Sequence, residues 1–246
     1  MLVLLPPSEG KAAPAAGPPL DLAKLAFAAE LTEPRQRLLE ALAALSALPQ
    51  RRAVQMLGLS PGQAGEVEVD AGLRGAPAAP AAEVYSGVLY DRLGLASLPA
   101  KARRRVLIAS ALWGAVRPED PIPYYRLAAK AKLPKIGGIA AHWRAPLAAA
   151  MPDAEGELIV DMRSGAYAAF WKPKAATLLA VRAFTESGGK RKPVSHMAKA
   201  VRGEVAKALL EAKVAPKDPE GAASLAGSAG FRVELSGAYL DVIVDP

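Results

Sequence analysis

The sequence predicts an α/β fold of mixed α+β type, and three observations carry that reading. Apolar runs of strand length are interspersed along the chain with stretches of helical period. The 246 residues are 52 % hydrophobic, enough for a sizeable core, and 22 % charged, which excludes a chain disordered throughout. No internal repeat or clear linker divides them, so residues 1–246 are read as one domain.

The elements follow in order. "MLVLL" (1–5) is a buried strand that Pro6 and Pro7 end. Residues 12–19 are irregular, and from Pro34 a helix is expected because Leu38, Leu42 and Leu45 recur at three- and four-residue spacing. Residues 58–82 are broken by Gly and Pro into loops or short helices. "RRVLIASALWGAV" (104–116) is apolar at nearly every position and reads as a strand turning into a buried helix. "GELIVDM" (156–162) is a second strand, followed by an aromatic-rich helix, "SGAYAAFWK", in which Phe170 and Trp171 belong to the core. "KAATLLAVRAFTE" (174–186) alternates as a strand does. "VSHMAKAVRGEVAKALLEA" (194–212) is a helix with Met197, Val201, Val205 and Ala208 inward, and Lys199, Arg202 and Lys207 outward. The final "GFRVELSGAYLDVIVD" is two strands joined at "SGA".

Several function classes drop out on composition. There is no cysteine, which removes disulfides, thiolate metal sites, iron–sulfur clusters and thiol peroxidase chemistry. His142 and His196 stand in no metal-ligand spacing, so neither a metal nor a cofactor is expected. No apolar run approaches eighteen residues, and the first residues lack the pattern of a secretory leader; the expectation is a cytoplasmic protein with no membrane partner.

Charge is unevenly placed. Residues 1–100 hold 8 basic and 10 acidic groups, residues 101–213 hold 21 and 9, and residues 214–246 hold 2 and 5, giving −2, +12 and −3. Such a field concentrates polyanions, so DNA or a small phosphorylated ligand is the natural partner. Solvated surface runs such as "KARRR" and "GGKRKP" are the competing explanation.

Three polar constellations stand at the ends of apolar elements, where function commonly sits. In "LLPPSEGK", Ser8 and Lys11 follow the first strand, and Lys11 is placed to meet a phosphate, although the glycine spacing of a Walker loop is absent. In "ALWGAVRPEDPIPYYRL" (111–127), three prolines stiffen a loop bearing Arg117, Glu119, Asp120 and Arg126. This loop is expected to wall a ligand site, with Arg117 and Arg126 facing the ligand and Asp120 orienting one of them; the alternative is an internal ionic knot. In "DMRSGAYAAFWKPK", Asp161 and Arg163 close a strand, Ser164 is placed to cap the next helix and Tyr167 lies one turn along. His196 with Lys199 and Arg202 offers a cationic helix face. A triad of Ser8, His196 and Asp161 has no nucleophile-elbow sequence behind it.

In order along the chain, "MLVLLPPSEGK", "EVYSGVLYDRL", "ALWGAVRPEDPIPYYRL", "DMRSGAYAAFWKP" and "SHMAKAVRGEVAKALL" resemble the YaaA family of bacterial peroxide stress response proteins. The most specific part is the second constellation, similar to the family's leucine-tyrosine-glycine, Arg-Pro-x-Asp and proline-tyrosine-arginine run with Trp113 replacing the tyrosine. "KAVRG" (199–203) resembles the family's lysine-x-alanine-arginine-glycine run. The resemblance implies a single compact fold of unusual topology with a basic cleft, a role in limiting peroxide damage and free iron, and binding of duplex or branched DNA without sequence preference. A helix-hairpin-helix serves DNA in the family; the corresponding residues 56–70 here carry no Lys or Arg but three acids, Glu66, Glu68 and Asp70. The family's Ser-Pro-Ala-Lys-Thr becomes Ser8 to Ala12 with only the serine and the lysine kept.

Two functions fit these residues. One is non-specific DNA binding by Lys11, Arg117, Arg126, Lys199 and Arg202, with protection from peroxide exerted indirectly. The other is an enzyme for a small phosphorylated or nucleotide-like substrate, with Ser8, Asp120, Asp161 and Tyr167 as candidate catalytic groups that should then converge in one pocket.

Overall fold

The structure, a computed structural model, describes residues 1–188, 190–194 and 197–244. Its strands are β1 (Leu2–Leu5), β2 (Ala78–Pro80), β3 (Val106–Ser110), β4 (Gly114–Val116), β5 (Pro121–Pro123), β6 (Lys132–Leu133), β7 (Gly137–Gly138), β8 (Leu158–Asp161), β9 (Thr177–Ser187), β10 (Lys190–Pro193), β11 (Arg232–Ser236) and β12 (Tyr239–Val244). Its helices are α1 (Ala28–Leu45), α2 (Gln50–Leu57), α3 (Glu66–Ala71), α4 (Ala81–Val84), α5 (Val88–Leu93), α6 (Ala100–Arg103), α7 (Ile139–Ala150), α8 (Gly165–Ala168), α9 (Met197–Glu211) and α10 (Pro219–Ser228). No helix among the described residues is long and apolar enough to cross a membrane.

The fold is the mixed α/β arrangement that the sequence predicts, built on one central sheet in the order β11-β12-β9-β8-β1-β3-β4, with β10 paired to β9. The inner strands β3, β1, β8, β9 and β12 run parallel, whereas β4, β10 and β11 are antiparallel additions. Val3 of β1 lies opposite Val106 of β3 and opposite Val160 of β8. Strands covered on both faces need apolar side chains throughout, which is why these three read as uninterrupted hydrophobic runs. The chain leaves β1 for β3 on one side and later enters β8 on the other. The winding therefore changes direction at β1, and the loops beyond the carboxyl ends of β1 and β8 part there.

Four local expectations are corrected. Residues 104–116 do not turn into a helix: β3 ends at Ser110, whose Oγ accepts from the Leu112 and Trp113 amides, and Gly114 at φ 73° starts β4 back along β3. A Cβ on Gly114 would also lie 2.8 Å from the Trp143 ring, so the reversal and the core packing both need glycine there. Helix α1 starts at Ala28, before Pro34, because Phe27 in the left-handed region turns the chain into it. After Asp161 the chain makes only the single turn α8, and Ser164 precedes it without a side-chain cap. In α9, Met197 is 48 % exposed at the first turn, and the inward face is Ala198, Val201, Val205, Ala206, Leu209 and Leu210. Phe170 and Trp171 are buried as expected, and the terminal hairpin β11–β12 turns at Gly237.

Helix α9 packs on α5 and on β9. The close approach to α5 runs through Gly203, where a Cβ would collide with the Leu89 carbonyl oxygen and come within 3.0 Å of Arg92 Cβ. Gly203→Ala gains helix propensity of about 1 kcal/mol but meets a backbone atom that cannot swing away. We expect a net loss of about 1–2 kcal/mol in denaturant unfolding. An unchanged or stabilised protein would show that the two helices have room to separate.

Candidate functional site

A pocket of about 540 Å³ opens beyond the carboxyl ends of β1 and β8. Five stretches of chain line it: 6–11 after β1, 86–90 at the start of α5, 126–130, 164–167, and Lys199 with Arg202 of α9. Among the described residues, Lys11, Arg126, Lys130, Lys199 and Arg202 are its basic residues and Glu9 is its one acid.

Beneath the lining residues lies an aromatic floor of buried tyrosines. Lys11 pairs as an isolated bridge with Tyr85, and the Ala12 amide donates to the Val84 carbonyl, which fixes the post-β1 loop to the segment before α5. Tyr85 stacks on Tyr90 with ring centroids 5.5 Å apart, and the Tyr90 hydroxyl donates to the Pro6 carbonyl at 2.7 Å. The Tyr85 and Tyr125 hydroxyls are 2.7 Å apart, and Tyr125 meets Ser110 Oγ at 2.7 Å. These phenols thus form a chain from the pocket into the core, where every hydroxyl has a partner. Burial pushes Tyr85 up to about 12 and Tyr125 well above the usual range, so both stay neutral.

Lys11 lies on this floor with Nζ 4.5 Å from the Tyr125 ring centre and 5.8 Å from that of Tyr85, donating to the Ser8 carbonyl at 2.9 Å. Burial, then the Arg126 charge, holds its amine down to about 8; Asp70, Glu66 and Glu9 pull weakly the other way. Asp70 is itself buried, and its Oδ1 accepts the Arg126 amide at 2.8 Å while Oδ2 has no partner. Burial raises its carboxyl to about 7 against that hydrogen bond. Both shifts carry the sign of desolvation, so removal from water outweighs the attraction of opposite charges.

The loop of residues 117–126 is held by its backbone. Asp120 Oδ2 accepts the Ala26 amide at 2.8 Å and the Arg117 amide at 3.0 Å, while the Ala81 and Ala82 amides bond the Asp120 and Pro118 carbonyls. Arg35, fully buried, donates to the carbonyls of Ala26, Trp113 and Ala115. Ala26 is thus gripped at its amide by Asp120 and at its carbonyl by Arg35. The Arg117 guanidinium donates to the Arg104 carbonyl at 3.2 Å, away from the pocket, and Glu119 pairs with Arg103 at 2.8 Å. Only Arg126, donating to the Glu9 carbonyl at 3.0 Å, reaches the pocket.

Of the residues singled out in the sequence, Ser8, Lys11, Arg126, Tyr167, Lys199 and Arg202 come together, and Arg117, Asp120 and Asp161 do not. Asp120 orients backbone amides and no guanidinium, so among the described residues the loop is neither the ligand-facing arrangement nor an ionic knot of Asp120 with Arg117 or Arg126 but one pinned through its backbone. Asp161 is taken by a two-pronged ion pair with Arg163, both contacts 2.8 Å, and Arg163 also donates to the Trp171 carbonyl. That pair ties the exit of β8 to the aromatic segment and engages both carboxylate oxygens. Ser8 Oγ donates to the Gly10 carbonyl and accepts the Ser86 amide, and Arg202 donates to the Val181 carbonyl. His196 lies outside the described residues.

The chain matches the sequence model of the peroxide stress protein YaaA over residues 1–234. It belongs to the YaaA family. A UPF0246 protein of Streptomyces coelicolor is 47 % identical over 242 residues, covering 95 % of this chain and 92 % of the relative. UPF0246 proteins of Corynebacterium glutamicum and Corynebacterium efficiens are 40 % identical over 238 and 243 residues, covering 95 % and 96 % of both chains.

For this YaaA-family chain, sequence reasoning missed Tyr85, Tyr125, Asp70 and Lys130. Glu66 and Asp70 stand one turn apart in α3, a same-face pair, and both turn inward: Glu66 accepts from the Tyr124 hydroxyl at 2.8 Å as Asp70 accepts the neighbouring Arg126 amide. Helices α2 and α3 do form a helix–turn–helix across Gly58 to Gly65, but these two acids brace the 124–126 segment. Asp120→Ala strands two half-buried amides, so unfolding should show a loss of about 1–3 kcal/mol with the pocket's ligand affinity, at temperatures where the variant is folded, within twofold of the parent. A selective loss of affinity with stability intact would put Asp120 back in the site.

Proposed function

We propose that the protein acts in the cytoplasm in the peroxide-stress role of its family by binding DNA without sequence preference, holding phosphates at the mouth of the β1/β8 pocket. What supports this reading is the convergence of five basic side chains from three separate stretches of sequence on a pocket with a single acid among the described residues of its lining. Lys130 and Lys199 are exposed and free to follow a flexible backbone, whereas Arg126 and Arg202 are half-buried with guanidinium groups braced on carbonyls. A chain without cysteine has no thiol with which to consume peroxide, so protection would be exerted at the nucleic acid.

The second reading is a small phosphorylated or nucleotide-like ligand, favoured by the depth of the pocket and by Ser8 and Tyr167 in its wall. Two of its four proposed catalytic groups, Asp120 and Asp161, are engaged elsewhere, so an acid–base pair of carboxylates is not assembled.

Titrating a labelled duplex at several salt concentrations separates the two. Phosphate-dominated binding should weaken steeply with salt, and Arg126→Ala or Lys199→Ala should each flatten the slope by roughly 0.9 and weaken all sequences alike. Absence of binding at low salt, together with stabilisation by phosphorylated metabolites in thermal unfolding, would favour the small ligand instead.

A further inference from the structure

We propose that the pocket takes a phosphorylated aldehyde and that the Lys11 amine joins its carbonyl carbon as a Schiff base. This rests on the reading of the pocket as a phosphate site and names the chemistry of its floor. Arg126, Lys130, Lys199 and Arg202 supply the phosphate-binding charge from the walls. Lys11 differs from them in being an amine laid over two aromatic rings.

Its side chain is packed against two aromatic faces, and its backbone is pinned by the bridge to Tyr85. Among the described residues Nζ has no carboxylate within ion-pair distance; its hydrogen-bond partner is the uncharged Ser8 carbonyl. The groups that face it are Arg126, Asp70, Glu66 and Glu9, with the neutral phenols of Tyr85 and Tyr125. With the amine held down to about 8, roughly a tenth of it is neutral at pH 7, against below about 0.1 % for an ordinary lysine. A cation placed only to hold phosphate gains nothing from this burial, because neutralising it removes the attraction. An amine that must attack a carbonyl gains directly.

The step balances without an outside oxidant or reductant. Neutral Nζ adds to the carbonyl carbon, and the proton it sheds passes to the carbonyl oxygen. That oxygen takes the second proton of the same nitrogen and leaves as water while the nitrogen lone pair forms the C=N bond. Tyr167 lines the same pocket and bears a hydroxyl that can relay these protons, whereas the Ser8 hydroxyl is already given to the Gly10 carbonyl. A phosphorylated aldehyde has two sources: a free sugar phosphate, or the ring-opened sugar of a base-less nucleotide flanked by phosphates in DNA.

The test traps the imine. The full chain is treated with borohydride in the presence of pyridoxal 5′-phosphate in one arm and a duplex holding one abasic nucleotide in the other, and the labelled peptides are mapped. We expect label at Lys11 at least about tenfold above Lys130, Lys199 and the remaining lysines, appearing faster as pH rises and levelling off above about 8. Pyridoxal without its phosphate should react about tenfold more slowly, and the arm that labels identifies the source. Lys11→Arg keeps the charge and should abolish trapping. If that variant does not fold, the map on the unaltered chain decides alone. Label spread evenly over exposed lysines, or none on Lys11 in either arm, overturns the proposal. Duplex binding measured on the same sample then shows whether only the covalent step has failed, with salt-sensitive binding intact, or the phosphate site with it.

Discussion

The position of β1 between two parallel neighbours is the constraint on which the rest depends. Its side chains are buried on both faces and its backbone is bonded to β3 on one side and β8 on the other, so the strand has no freedom of its own. Pro6 and Pro7 end it where the winding of the sheet reverses, and the residues that follow emerge in the only place where the loops on the two sides diverge. The pocket is a consequence of that topology. Ser8 and Lys11 reach it by following β1, Tyr167 by following β8, and Lys199 and Arg202 through a helix drawn onto α5 at Gly203.

Beneath the pocket, electrostatics and packing are hard to separate. Lys11 and Asp70 bear opposite charges, yet both are displaced toward neutrality, because each has exchanged water for protein without making direct contact with the other. The tyrosine chain of Tyr85 and Tyr125 supplies polar partners without supplying charge. Arg35 and Asp120 solve the same problem differently, each spending its charge on backbone groups around Ala26, which turns an irregular loop into a rigid one. Rigidity on that side matters because Arg126, eight residues after Pro118, is the loop's only arginine at the pocket.

How much of this was legible in the sequence follows from what each signal depends on. Strands β1, β8, β9 and the β11–β12 hairpin are visible because burial on a sheet imposes an apolar run or alternation directly. The β3–β4 reversal was not, since an unbroken apolar stretch fits a strand or a buried helix equally well and the decision falls to Ser110 capping two amides and to Gly114. Ser8, Lys11, Arg126, Tyr167, Lys199 and Arg202 stand out in the sequence because they end elements or share a helix face, and chain topology gathers them. Asp120, Asp161 and Arg117 carry the same local signal and serve backbone amides, an adjacent arginine and a backbone carbonyl instead. Nothing local distinguishes a carboxylate turned to a ligand from one turned to an amide. The acids of α3 show the converse: Glu66 and Asp70 look like a solvated acidic patch, and they face inward.

The central claim is that phosphate-bearing ligands enter the crevice at the end of β1 and do not dock on the α2–α3 turn. Amide hydrogen exchange with and without a short duplex at low salt tests it most directly. The account predicts slower exchange on binding in residues 8–11, 86–90, 126–130 and 164–167, with 50–71 unaffected. Protection confined to residues 50–71, with the four pocket stretches unchanged, would contradict it.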